Sequence, residues 1–116
     1  MNITKPVRDA IGRVAFAHNV LVCVIPPINE GKFVAGNTSM LWTSANLLLK
    51  QPSSDALDQM REVTRDTIIE SCRLLSCVIE RDEIIDGCPE LSAFIAELTQ
   101  LLDHLENITP DSRGSV

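Results

Sequence analysis

The sequence predicts a mainly α-helical fold: a helical hairpin or small bundle of three to four helices with one short N-terminal strand or hairpin. Three observations carry this. Apolar residues recur at threes and fours across residues 57–79 and 91–105, the period of helices buried on one face. Pro52 and the Gly87-Cys88-Pro89 triplet punctuate these stretches, as helix stops and starts do. One continuous, largely β-branched run, Val20-Leu21-Val22-Cys23-Val24-Ile25, lacks helical gaps and reads as extended chain. The 116 residues are 45% apolar, which suits one domain with a real core. Residues 1–36 read as an arm carrying the short helix and strand, and 109–116 as a flexible tail.

The first helix is expected over residues 5–17. Thr4 can cap it, Pro6 suits its first turn, and Val7, Ala10, Ile11 and Val14 share a face. Gly12 weakens it by about 1 kcal/mol. The strand Val20–Ile25 ends at Pro26-Pro27, and a second short strand is expected at Lys32–Ala35 after the Asn29-Glu30-Gly31 turn. Two strands make no stable sheet, so they form a small hairpin or Val20–Ile25 pairs with another chain.

Thr38 or Ser39 then caps a helix to about Lys50, with Leu41, Ser44, Ala45 and Leu48 on one face. Ser53-Ser54-Asp55 opens the longest helix, which ends near Arg81. Its expected stripe is Leu57, Met60, Thr64, Ile68, Cys72, Leu75 and Ile79. Asp58, Glu62, Asp66 and Glu70 line its outer side, and Arg61, Arg65 and Arg73 each follow an acid by three residues, giving local pairs on a solvated face. The last helix starts at Pro89-Glu90 and runs to about Asn107. Leu91, Phe94, Ile95, Leu98, Leu101, Leu102 and Leu105 give it the cleanest apolar face in the chain.

Composition excludes several functions. Aromatic residues are 3% with no Tyr, and the net charge is −6. Stacking platforms for single strands need aromatics, and phosphate backbones repel acidic chains, so direct nucleic-acid binding is not expected. The longest unbroken apolar run is Val20–Ile25, far short of the roughly twenty residues of a membrane span. With no export signal at the start, the chain reads as cytoplasmic, and Cys23, Cys72, Cys77 and Cys88 as reduced. The favoured reading of these cysteines is as small buried apolar residues. Charge is split: residues 1–54 carry +3 and residues 55–116 carry −9, so the halves attract.

No catalytic, cofactor or metal site emerges. The five glycines are scattered and form no phosphate loop. Asp82–Gly87 hints at a calcium loop, but Ile84 and Ala93 stand where oxygen ligands are needed. The two imidazoles, His18 and His104, have no zinc spacing around them.

What remains is association. Three helices of unequal length leave part of the longest stripe uncovered, and a homodimer would cover it. Trp42 lies off the Leu41–Ala45–Leu48 face; it reads first as core filler and, because tryptophan favours interface centres, alternatively as a surface-directed contact. The candidate interaction residues are Val22, Val24, Phe33, Leu41, Trp42, Phe94, Leu98, Leu101 and Leu105.

The segments Ser39-Met40-Leu41-Trp42-Thr43-Ser44-Ala45-Asn46-Leu47-Leu48-Leu49 and Ile68-Ile69-Glu70-Ser71-Cys72-Arg73-Leu74-Leu75 resemble a family of short pseudomonad helical proteins of unassigned function. In that family a Leu-rich helix with a Ser-Glu-Leu-Leu-like core precedes a second helix. Length, acidity and helical make-up are also similar to the quorum-sensing antiactivators of that bacterial group. This resemblance implies a small dimer that binds a LuxR-type transcription factor and blocks the factor's own dimerisation or DNA binding. It implies no catalytic residue, because that mechanism is steric. The competing reading is a small helical enzyme or ligand carrier with a site at a dimer seam, for which His18, His104, Glu80 and Asp82 are the candidates.

Overall fold

A computed structural model describes residues 3–24, 32–81 and 89–108, excepting the side chains of 22–24, 32–37 and 77–81. Four helices account for nearly all of them: α1 (Lys5–Val24), α2 (Lys32–Lys50), α3 (Ser54–Arg81) and α4 (Pro89–Glu106). Among the described residues there is no strand.

The expected strand Val20–Ile25 is therefore corrected. Its residues are helical as far as Val24, and Ile25 lies outside the described residues. The reason is Leu21, which continues the row of Val7, Ala10 and Val14 and is fully buried. Burying a leucine contributes about 1.5–3 kcal/mol, whereas a β-branched residue costs a helix only a few tenths. Tertiary packing wins over local propensity. The expected strand Lys32–Ala35 is corrected too: α2 begins at Lys32, more than a turn before Thr38 and Ser39. No hairpin remains for either segment to form.

Neighbouring helices run antiparallel. Gln51, Pro52 and Ser53 join α2 to α3, and so short a link returns the chain on itself. The Gln51 amide bonds the Leu47 carbonyl at 2.8 Å, closing α2. The Ser53 hydroxyl accepts the Ala56 N–H at 3.0 Å, capping α3. Gln59 on α3 donates to the buried Ser44 hydroxyl on α2 at 3.1 Å. Across α3 and α4, Arg65 pairs with Glu106 at 2.9 Å. Across α1 and α4, Arg13 pairs with Glu97 at 3.3 Å, linking the basic half of the chain to the acidic half. The result is an up-down-up-down bundle in which α4 packs against both α1 and α3, α3 also packs against α2, and α1 and α2 touch along a short seam.

One apolar cluster runs through all four helices: Val7, Val14 and Leu21; Leu41 and Leu48; Leu57 and Met60; Leu91, Phe94, Leu98, Leu101 and Leu105. Both α1 and α2 are longer than the spacing predicts and contribute to this cluster.

The buried line of α3 differs from the expected stripe. It runs Leu57, Met60, Thr64, Thr67 and Ser71, while Ile68 is half-buried, Ile69 is 50% exposed and Cys72 is exposed. The three hydroxyls tolerate burial because each bonds a carbonyl one turn back: Thr64 to Met60 at 2.6 Å, Thr67 to Val63 at 2.8 Å and Ser71 to Thr67 at 2.7 Å. Cys72, a free thiol on the surface, corrects the reading of it as a buried apolar residue. The side chains of Cys23, Cys77 and Cys88 lie outside the described residues.

Candidate interaction surface

The structure places Leu41, Phe94, Leu98, Leu101 and Leu105 in the core, at 1% exposure or less. They hold α2 and α4 in the bundle, and a partner could reach them only by opening it. Val22 and Val24 sit in the last turn of α1, and Phe33 in the first turn of α2; their side chains, like that of Glu80, are outside the described residues, as is Asp82.

Trp42 is half-buried at the seam between α1 and α2. Its ring meets His18 edge-on, with centroids 5.2 Å apart and planes at 74°, a favourable aromatic geometry. His18 also lies 5.9 Å from the Phe94 ring, and its Nε2 shares a hydrogen bond with Thr38 Oγ1 at 3.3 Å. Burial holds the His18 pKa below its ordinary value, because an imidazolium loses hydration there. His18 thus bridges three helices in its neutral form, and His104 sits apart on the last turn of α4. Among the described residues no group of three His, Cys, Asp or Glu side chains is placed to hold a metal ion. The acidic turn Asp82–Gly87 lies outside them. No helix among them is long and apolar enough to cross a membrane.

Arg61 has a role that spacing did not show. Its bond to Asp58, at 3.4 Å, is the pair expected from the sequence. Its guanidinium also donates to the Leu105 carbonyl at 2.8 and 3.1 Å and to the Ile108 carbonyl at 2.9 Å. The Leu105 carbonyl, which also accepts the Ile108 N–H at 3.3 Å, and the Ile108 carbonyl lie at the end of α4, and a cation there complements the negative end of the dipole. Arg65 likewise turns from Glu62 to Glu106, while Arg73 keeps its expected partner Glu70.

Among the described residues the most exposed large apolar side chain lies on α1. Phe16 is 71% exposed and Val20, one turn on, is 38% exposed. They border an open groove of about 730 Å³ between α1 and α4, mainly apolar in its lining. Gly12, Ala17 and Ala93 leave it wide, and Arg8, Asp9 and Arg13 on α1 face Glu90 and Glu97 on α4 around it. No signal of periodicity marked this groove in advance, because its floor is small residues and its rim is charged.

Comparison with protein families, curated proteins and solved structures returns no match.

Proposed function

We propose that this chain is a non-enzymatic protein–protein interaction module: a homodimeric negative regulator that binds a transcription factor, of LuxR type by the resemblance of its helices, and blocks the factor's dimerisation or DNA binding. The observation that carries the reading is the contiguous apolar surface of Phe16, Val20 and the groove beside them. Single exposed apolar residues are ordinary on any protein, but a contiguous patch marks a place for a partner. The acidic outer row of α3, where Asp58, Glu62 and Asp66 are exposed, supports the choice of partner. A DNA-binding protein presents a basic surface to phosphates, and an acidic row complements it.

The test is a titration of the purified chain into a LuxR-type regulator bound to its operator. Loss of the regulator–DNA complex, with a new protein–protein complex on size exclusion, supports the reading. An operator complex that persists at large molar excess overturns the antiactivator form. The groove also favours a second reading, a ligand carrier, because about 730 Å³ lies within the range of small-molecule sites. A rise of several degrees in Tm with one class of apolar compound would favour that alternative.

A further inference from the structure

We propose that the α1–α4 groove binds a soluble single-chain amphiphile with an anionic head, of the medium-chain fatty-acid class, its head on Arg8 and its chain laid along Gly12, Phe16 and Val20. This rests on the ligand-carrier reading, which it deepens by naming the ligand's chemistry, and it is independent of the transcription-factor reading.

The first ground is the order of residues along the groove. Arg8, Gly12, Phe16 and Val20 follow one another at single-turn spacing on α1 and all line it, so they form one row on the helix surface. A cation opens the row, a gap follows, and two apolar side chains complete it. The facing wall matches the apolar half. Because α1 and α4 are antiparallel, with Arg13 beside Glu97 and His18 beside Phe94, Pro89 and Ala93 lie opposite the stretch from Phe16 to Val20 and offer apolar surface without bulk. From Arg8 to Val20 the row runs about 18 Å at the helical rise. A saturated chain of about twelve carbons, built on C–C bonds of about 1.5 Å, covers most of that length. The groove volume of about 730 Å³ suits a ligand of this size.

The second ground is charge, which selects the head. Around the groove, Asp9 is held by Lys5 at 3.0 Å and Glu97 by Arg13 at 3.3 Å, and Glu90 also has a partner. Arg8 alone of the groove's charges has no ion-pair partner among the described residues. An anion completes the set, and the planar fork of a guanidinium fits the two oxygens of a carboxylate. A cationic head would be repelled by Arg8 and would find every acid around the groove already engaged.

Gly12 adds a third. A Cβ built there meets nothing within 4 Å, so the chain's own packing does not require glycine, although glycine weakens a helix interior. What glycine permits is close approach of a ligand to the helix backbone. It also provides a blocking position that spares the fold.

Isothermal titration calorimetry on the full chain, below the micelle concentration of each probe, tests this with dodecanoate, dodecyltrimethylammonium and butyrate. The expected result is one dodecanoate per chain, with the other two probes at least tenfold weaker. Arg8→Gln should weaken dodecanoate at least threefold and leave dodecyltrimethylammonium no weaker. Gly12→Leu should abolish binding and at the same time raise the Tm of the unliganded chain by a few degrees, since it adds a better helix former in open space. Loss of binding from a more stable chain would not arise from damage to the fold. Equal binding of both head charges, unchanged in Arg8→Gln, overturns the anionic ligand and leaves an apolar carrier standing. Several amphiphiles per chain, or binding untouched by Gly12→Leu, is adsorption and overturns the site. Binding to phosphatidylglycerol vesicles without binding of free dodecanoate would assign the surface to a membrane and overturn the proposal. No binding of any probe overturns the carrier reading as well, while the operator titration judges the regulator reading separately.

Discussion

α4 has two neighbours, and the seams it makes with them are finished differently. Toward α3 the joint is closed by directional bonds: Arg61 ties the carbonyls of Leu105 and Ile108, and Arg65 reaches Glu106. Toward α1 the Arg13–Glu97 pair spans the joint and Val7, Val14 and Leu21 pack its inner side, but the outer side stays open as the groove beside Phe16. One seam satisfies its own polar groups; the other leaves apolar surface over. The difference separates the side of α4 that is bonded shut from the side that keeps apolar surface in the open.

The largest effect should come where the two seams share a residue. Phe94→Ala removes a fully buried ring that also touches His18, and about 3–5 kcal/mol of stability should be lost. Urea unfolding measures it, and a loss below 1 kcal/mol would mean that the common core is not where the packing places it. Next is the closed seam alone. Arg61→Ala strips three charge-assisted bonds from a largely buried guanidinium, and roughly 1.5–3 kcal/mol should go with them. Arg65→Ala, an exposed pair, should cost less than about 1 kcal/mol. Equal effects from the two arginines would remove the capping role given to Arg61.

The seam between α1 and α2 is probed by pH. The folded-state pKa of His18 is lowered by burial, so its contribution is complete above the unfolded value of about 6.5. Below that the unfolded chain binds the proton first, and stability falls until the folded pKa is passed. Thermal melts from pH 7.5 to 5 should show this decline in the native chain and a shallower one in His18→Gln. Matching slopes would show that His18 does not cause it. The smallest expected change is on the open side, where Gly12→Ala should stabilise by about 0.5–1 kcal/mol, because the added methyl meets nothing. A destabilised Gly12→Ala monomer would show that the groove floor is already in use by the chain itself.

The helical class, three helix starts and the apolar face of α4 were legible because each is written in local spacing and punctuation. Val20–Ile25 was not, since a continuous apolar run fits either period. Only Leu21, buried against other helices, decides it. The candidate interface residues Leu41, Phe94, Leu98, Leu101 and Leu105 were found as a buried face, but periodicity does not say what does the burying, and here it is the chain's own core. Phe16 escaped notice for the opposite reason: it belongs to no repeating stripe and shows itself only when both walls of the groove are in place. Arg61 was read by its nearest acid, whereas its main partners lie more than forty residues away in the chain.

The row Thr64, Thr67 and Ser71 has a mechanical consequence. Each hydroxyl is already engaged by its own helix, so these three buried side chains make no directional demand on the neighbouring helices, and the Arg65–Glu106 pair beside them is an exposed one. The pins that set register, Gln59 on Ser44 and Arg61 on Leu105, both lie toward the other end. The bundle is expected to be held more firmly around Met60 than toward Leu75. Amide exchange along α3 should accordingly be slowest around Met60 and quicken steadily toward Leu75.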